Sequence, residues 1–196
     1  MHFLLSFLLA GTVVLAAPGP RYLVVPGRSL GTIALGTDPL KSLAALGPPS
    51  HTEGALGESW NTWVGKEIVA GNRPSQLDVF WARPAGAAPS SPVRTVQLIR
   101  ATSPAFQLAN GLRIGSPVAD IARLYPHYDK AFNLQLGTEE PRSLMDEPTA
   151  GVGFELSRPE RGKSAAIVAI IVHTPGVNLR EHDFGLKAHL EAQARR

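Results

Sequence analysis

Apolar and polar residues change rhythm along this chain in a pattern that occurs twice. Ile33 and Leu35 stand one residue apart and run into Gly36 and Thr37. Leu112 and Ile114 run into Gly115 and Ser116 with the same spacing, about 79 residues further on. Each set lies in a stretch, residues 31–49 and 111–128, where the apolar period changes from two to the helical value between three and four. Leu40, Leu43 and Leu46 predict one inward stripe with Lys41 off it. Val118, Ile121 and Tyr125 predict another, with Asp120 and Arg123 outside. Pro39 and Pro117 fall in the first turns, Thr37 and Ser116 are placed to cap, and Gly47-Pro48-Pro49 and Pro126 stop the helices. At about nine residues each, neither helix holds alone in water, so each needs a sheet to pack on.

Around these helices the period is two. Residues 22–25 and 32–35 predict short strands, matched later by 106–108 and 112–114 around Asn110-Gly111, a dipeptide suited to a tight hairpin. Residues 59–64, 77–83 and 93–101 follow the first helix as strands, with Val96 and Leu98 alternating with Thr95 and Gln97 as on a sheet with one wet face. Residues 131–136, 152–156 and 165–173 follow the second, and the last of these is apolar enough to be covered on both faces. Segments 84–92, 137–151 and 157–164 are rich in Pro, Gly or charge and predict excursions from the sheet. The expected fold class is α+β, with two tandem modules, residues 17–102 and 103–177, each a short helix on an antiparallel meander, sharing one continuous sheet. Residues 178–196 form a polar tail in which Leu186 and Leu190 predict a further helix.

The N-terminus and the composition bear on location. Residues 3–14 are apolar, and Val14 and Ala16 suit the small-residue positions before a signal peptidase cut. Residues 1–16 are therefore expected to be a cleaved signal, placing the mature chain outside the cytoplasm, periplasmic or secreted. The alternative is an uncleaved anchor, but the run is shorter than the roughly 20 residues that span a bilayer. The chain has no Cys, so neither a disulfide nor a lipid on Cys holds it, and its core must suffice. A net charge of +3 is mild for 196 residues. Arg73, Arg83, Arg94 and Arg100 are spread over several predicted strands rather than clustered, and the expected export does not favour nucleic acid as a partner.

The stretch Gly111-Leu112-Arg113-Ile114-Gly115-Ser116, a short helix ending near Tyr125-Pro126, and an aromatic-bearing meander resemble the repeat of the beta-lactamase inhibitory protein-like fold. The same module is seen in the SmpA/OmlA lipoproteins of the outer-membrane assembly machinery. The resemblance covers residues 28–174. It implies a helix-on-sheet fold and a tendency to bind proteins, and it carries no functional residue across. The second helix of those repeats and their lipidated Cys have no counterpart here.

Candidate chemistry is sparse. Trp60, Trp63 and Trp81 all lie in the first half, Trp60 and Trp63 on opposite faces of a regular strand, and large aromatics are favoured anchors in protein interfaces. They are the candidate binding residues. Gly57-Glu58-Ser59-Trp60-Asn61 carries the first glycine of a nucleophile elbow but has Asn in place of the second. With His51, Glu53 and Glu58 nearby, Ser59 defines the competing expectation of a secreted hydrolase. His51, His127, His173 and His189 are scattered, and Glu139, Glu140, Asp146 and Glu147 lack the spacing of a calcium loop, so no metal or other cofactor is expected. The leading expectation is an exported, non-catalytic module that binds a protein or cell-envelope component through a sheet face.

Overall fold

The computed structural model describes residues 19–55, 57–69, 72–84, 86–136, 142–157, 164–182 and 184–195. The signal segment 1–16 and the acidic pair Glu139 and Glu140 lie outside them. The fold is α+β. In chain order the elements are β1 (Leu23–Val25), β2 (Ser29–Leu30), β3 (Ile33–Ala34), α1 (Pro39–Leu46), β4 (His51–Ala55), β5 (Glu58–Val69), β6 (Arg73–Ala82) and β7 (Thr95–Ala101). There follow β8 (Gln107–Leu108), α2 (Val118–Leu124), β9 (Asp129–Leu134), β10 (Arg142–Glu147), β11 (Val152–Leu156), β12 (Ile167–His173) and α3 (Leu186–Ala194).

Eight strands form one antiparallel sheet in the order β4-β5-β6-β7-β12-β11-β10-β9. Four consecutive strands of the first half meet four of the second in reverse order. The seam is the antiparallel pair β7 and β12, where Ile170 faces Ala101 and His173 faces Leu98. The near-continuous apolar run of β12 is central and covered on both sides, with Ile170, Ile171 and Val172 fully buried. A small sheet, β3-β2-β1-β8, lies over one face and joins the halves through the parallel pair β1 and β8.

The Gly-hydroxyl turns have a common task. Gly36 N–H donates to Val96 O and Val96 N–H to Thr37 O, at 2.8 and 2.9 Å. Gly115 N–H donates to Ile167 O and Ile167 N–H to Ser116 O, also at 2.8 and 2.9 Å. Each turn thus docks on the start of the strand that ends its own half. Both glycines have positive φ, +73° and +91°, and a Cβ at either would meet nothing within 4 Å, so backbone conformation rather than space requires glycine there. Thr37 and Ser116 do not cap the helices as expected. Thr37 Oγ1 donates to Ala34 O, and Ser116 Oγ accepts from Arg113 N–H, so both brace the turn. The cap of α1 is Asp38, which accepts from Leu40 N–H at 2.9 Å, while Pro117 at the start of α2 supplies no side-chain cap.

Other expectations change as well. Leu40 is 69% exposed, and the inward stripe of α1 is Pro39, Ser42, Leu43 and Leu46, with Ser42 buried. Of Asn110-Gly111, only Gly111 takes positive φ. His51–Ala55 and Arg142–Glu147 are strands that alternation did not reveal. The second of these lies within the segment read as an acidic excursion, and its Asp146 and Glu147 are buried. The C-terminal segment is no loose tail, because α3 inserts Leu186, His189 and Leu190 into the protein.

The sheet has two covered faces. On one, Val79, Ile99, Met145, Phe154, Ile170 and Val172 pack against the small sheet, α1 and α2 through Val24, Leu30, Leu108 and Ile121. On the other, Trp60, Phe80, Leu98, Leu144 and Ile171 pack against the C-terminal segment through Leu179, Phe184, Leu186 and Leu190. Among the described residues no helix is long and apolar enough to cross a membrane.

Candidate functional site

Alternation along β5 separates the tryptophans. Trp60 faces the C-terminal segment and is 6% exposed, its indole N–H donates to Phe184 O at 3.2 Å, and its ring stacks on His189. It holds α3 in place and presents no surface to a partner. Trp63 and Trp81 fall on the opposite face, both half-buried against the first core. Trp81 lines none of three cavities formed by the described residues.

Trp63 does line one. Its indole N–H donates to Gly47 O at 3.0 Å, which fixes the ring in the gap between α1 and the sheet. With Tyr22, Ile33, Leu46, Leu77 and Phe106 it forms an apolar cleft of about 230 Å³ between the small sheet and the β5–β6 hairpin. Tyr22 packs edge-on to Phe106 with centroids 5.8 Å apart and is 41% exposed, and Val64 at the rim is 38% exposed. The β4 ladder covers residues 58–62 of β5, and just beyond it Val64 N–H donates to Ser50 Oγ at 3.1 Å.

The hydrolase constellation does not assemble. In the β4–β5 ladder His51 lies opposite Thr62, and Ser59 lies opposite Gly54. Directly opposed residues share a face and neighbours alternate, so Ser59 and His51 project from opposite faces of the hairpin. Ser59 Oγ instead donates to Glu53 O at 3.2 Å and accepts from Asn61 at 3.0 Å. Glu53 reaches across to His189 Nδ1 at 3.3 Å, and Glu58 is exposed at the hairpin end.

The chain's most charged interior region was not singled out from the sequence. Arg100, 4% exposed, is clamped between Glu155, which accepts from Nε and Nη2, and Asp78, which accepts from Nη1 at 2.6 Å. Asp78 also accepts from Thr62 Oγ1 at 2.7 Å and Gln193 Nε2 at 3.0 Å, and His189 Nε2 lies 3.4 Å away. Burial alone would raise the Asp78 pKa, but His189, Arg100 and Thr62 outweigh it and hold the carboxyl down at about 2. Burial also works against the charge on Arg100, and Glu155 followed by Asp78 holds its pKa above the usual value. The network lies under α3, where it joins four strands to a helix. A partial sequence signal did exist: Thr62 stands between Trp60 and Val64 on one face of its strand, and Arg100 follows Leu98 on its own.

A second buried pair lies nearer the sheet's far edge. His173 Nε2 faces Asp146 Oδ1 at 2.9 Å, and Asp146 Oδ2 accepts from Leu179 N–H at 2.8 Å. Both groups tie the C-terminal segment to the sheet. Among the described residues no group of three His, Asp or Glu is arranged to hold a metal ion.

No protein-family model matches the chain, and no curated protein matches it. A solved structure similar to it is that of the uncharacterized protein yfeY from Escherichia coli, 14% identical, covering 76% of this chain and 98% of that one, with a TM-score of 0.39.

Proposed function

We propose that this chain is an exported, non-catalytic binding module that recognises a protein or cell-envelope component through the cleft at Trp63. The observation that carries the reading is an aromatic-lined apolar cleft left open between two covered layers, with Tyr22 and Val64 exposed at its mouth. Its volume of about 230 Å³ falls below the roughly 300–1,000 Å³ of pockets that enclose whole ligands. It suits one or two apolar side chains of a partner, as interface hot spots do. Beyond Val64, whose N–H is taken by Ser50 Oγ, β5 continues to Val69 past the β4 ladder and offers an edge along which a partner strand can lie. The mirrored strand order and the paired Gly-hydroxyl turns support the two-module organisation that the repeated pattern predicts.

The test is capture from cell-envelope extract with immobilised mature protein, with Trp63→Ala, and with Val93→Ala as an exposed control remote from the cleft. The reading predicts a species held by wild type and the Val93 variant, released by Trp63→Ala, and bound saturably when purified. Retention unchanged in Trp63→Ala contradicts it.

A further inference from the structure

We propose that the free end of the β5–β6 hairpin docks on an anionic lipid surface, with Ile68 entering the headgroup layer and Lys66 and Arg73 meeting the lipid phosphates. This goes beyond the cleft reading, because it does not need Trp63.

Among the described residues the end of the hairpin has no strand on either side. β4 pairs with β5 only as far as Thr62, and β7 pairs with β6 only from Leu77 onward. Residues 64–69 and 73–76 therefore form a two-stranded arm. It is tied at its base, where Val64 N–H donates to Ser50 Oγ and Gln76 N–H to Thr102 Oγ1. Its irregularity has a structural cause. Gly65, Lys66 and Glu67 stand against Ser75 alone between the pairs Val64–Gln76 and Ile68–Pro74. A Cβ at Gly65 would collide with Ser75 Oγ, so glycine lets the bulge close over a buried serine. Asn72 precedes β6 with a positive φ of +55°, which Asn tolerates.

The arm shows solvent an apolar tip among cations. Ile68 is 61% exposed, and Pro74 opposite it is exposed too. Lys66 and Arg73 are exposed beside them, and neither makes an ion pair among the described residues. Glu67, the one acid of the arm, accepts from Ser103 Oγ at 2.7 Å. No acidic residue lines the Trp63 cleft beside the arm, where Arg21 stands. None lines the smaller cavity at Val69, Arg73 and Pro74. The field around the arm is therefore positive on both sides. An acidic protein surface would satisfy the cations and leave Ile68 against charged groups. A lipid surface accepts both, since its boundary takes an apolar side chain at the depth where phosphates meet Lys and Arg.

The experiment is sedimentation of the mature protein with vesicles of phosphatidylcholine alone, or of phosphatidylcholine and phosphatidylglycerol in equal parts. The anionic vesicles should carry the protein down, the neutral ones should leave it in solution, and added salt should release it. Ile68→Ser should weaken binding about tenfold, and Lys66→Ala with Arg73→Ala at least about tenfold. All three side chains are exposed, so these variants should keep the wild-type circular dichroism. Trp63→Ala should bind the vesicles like wild type, which separates this result from the capture that tests the cleft. Equal binding to both kinds of vesicle, or none to the anionic kind, overturns the proposal. So does full binding by Ile68→Ser, which would mean a charge-only contact of the sort an acidic protein makes.

Discussion

The imidazole of His189 lies face to face with the indole of Trp60, ring centroids 4.2 Å apart and planes within 7° of parallel. This contact joins the last helix to the first half of the sheet, and the indole N–H adds a bond to Phe184 O. Trp60→Ala should therefore destabilise the protein by about 3–5 kcal/mol, lowering its melting temperature by roughly 10 °C. Trp60→Phe should cost less, because it keeps a ring under His189. Thermal and urea unfolding followed by circular dichroism decide this, and an unchanged midpoint for Trp60→Ala would show that α3 is not docked.

The Arg100 network predicts asymmetric costs. Removing one member, as in Glu155→Gln or Arg100→Met, leaves an uncompensated charge in the interior and should cost about 3–5 kcal/mol. Replacing Asp78, Arg100 and Glu155 together with apolar residues of similar volume should cost much less than the sum of the single changes. Urea denaturation of the singles and the triple measures both, and strict additivity would mean the three groups do not act as a unit.

Acid sensitivity follows from Asp78. Its carboxyl is held at about 2 in the folded protein against an ordinary 3.8. A lowered folded value means the stabilisation is complete above the ordinary value and disappears as pH falls through the folded one. Asp78 should thus supply about 2 kcal/mol at neutral pH, lost between roughly pH 4 and pH 2. Asp78→Asn should flatten the stability profile across that window, and a profile parallel to wild type would argue against the assignment.

Much of the fold was legible because its signals are local. The Ile33 and Leu112 patterns place both turns and both helices, and the unbroken apolar run of β12 marks the centre of the sheet. What stayed hidden depends on partners distant in sequence. Leu40 and Ser42 exchange places because the stripe of α1 is set by where Asp38 starts the helix and by the sheet beneath it. Asp146 reads as part of a solvated acidic loop until His173 and Leu179 are brought to it. Trp60 and Trp63 sit three residues apart with the same side chain, and only the C-terminal segment, docked on one face alone, makes the first core and leaves the second at a cleft.

The α1 difference is itself testable. Leu40→Ser should change stability by no more than about 0.5 kcal/mol, as for exposed sites in general. Ile121→Ala, at the fully buried centre of the α2 stripe, should cost about 2–5 kcal/mol. Comparable losses from the two would restore the stripe that simple periodicity predicts.

The claim that the Trp63 cleft is the recognition surface is tested most directly by photo-cross-linking in cells. A benzophenone amino acid is placed at position 22, at the mouth of the cleft, or at position 93, exposed and remote from it. One discrete adduct should form from position 22, none of that mass from position 93, and the adduct should vanish when Trp63→Ala is added. The same adduct from both positions, or one from position 22 that survives Trp63→Ala, would contradict the account.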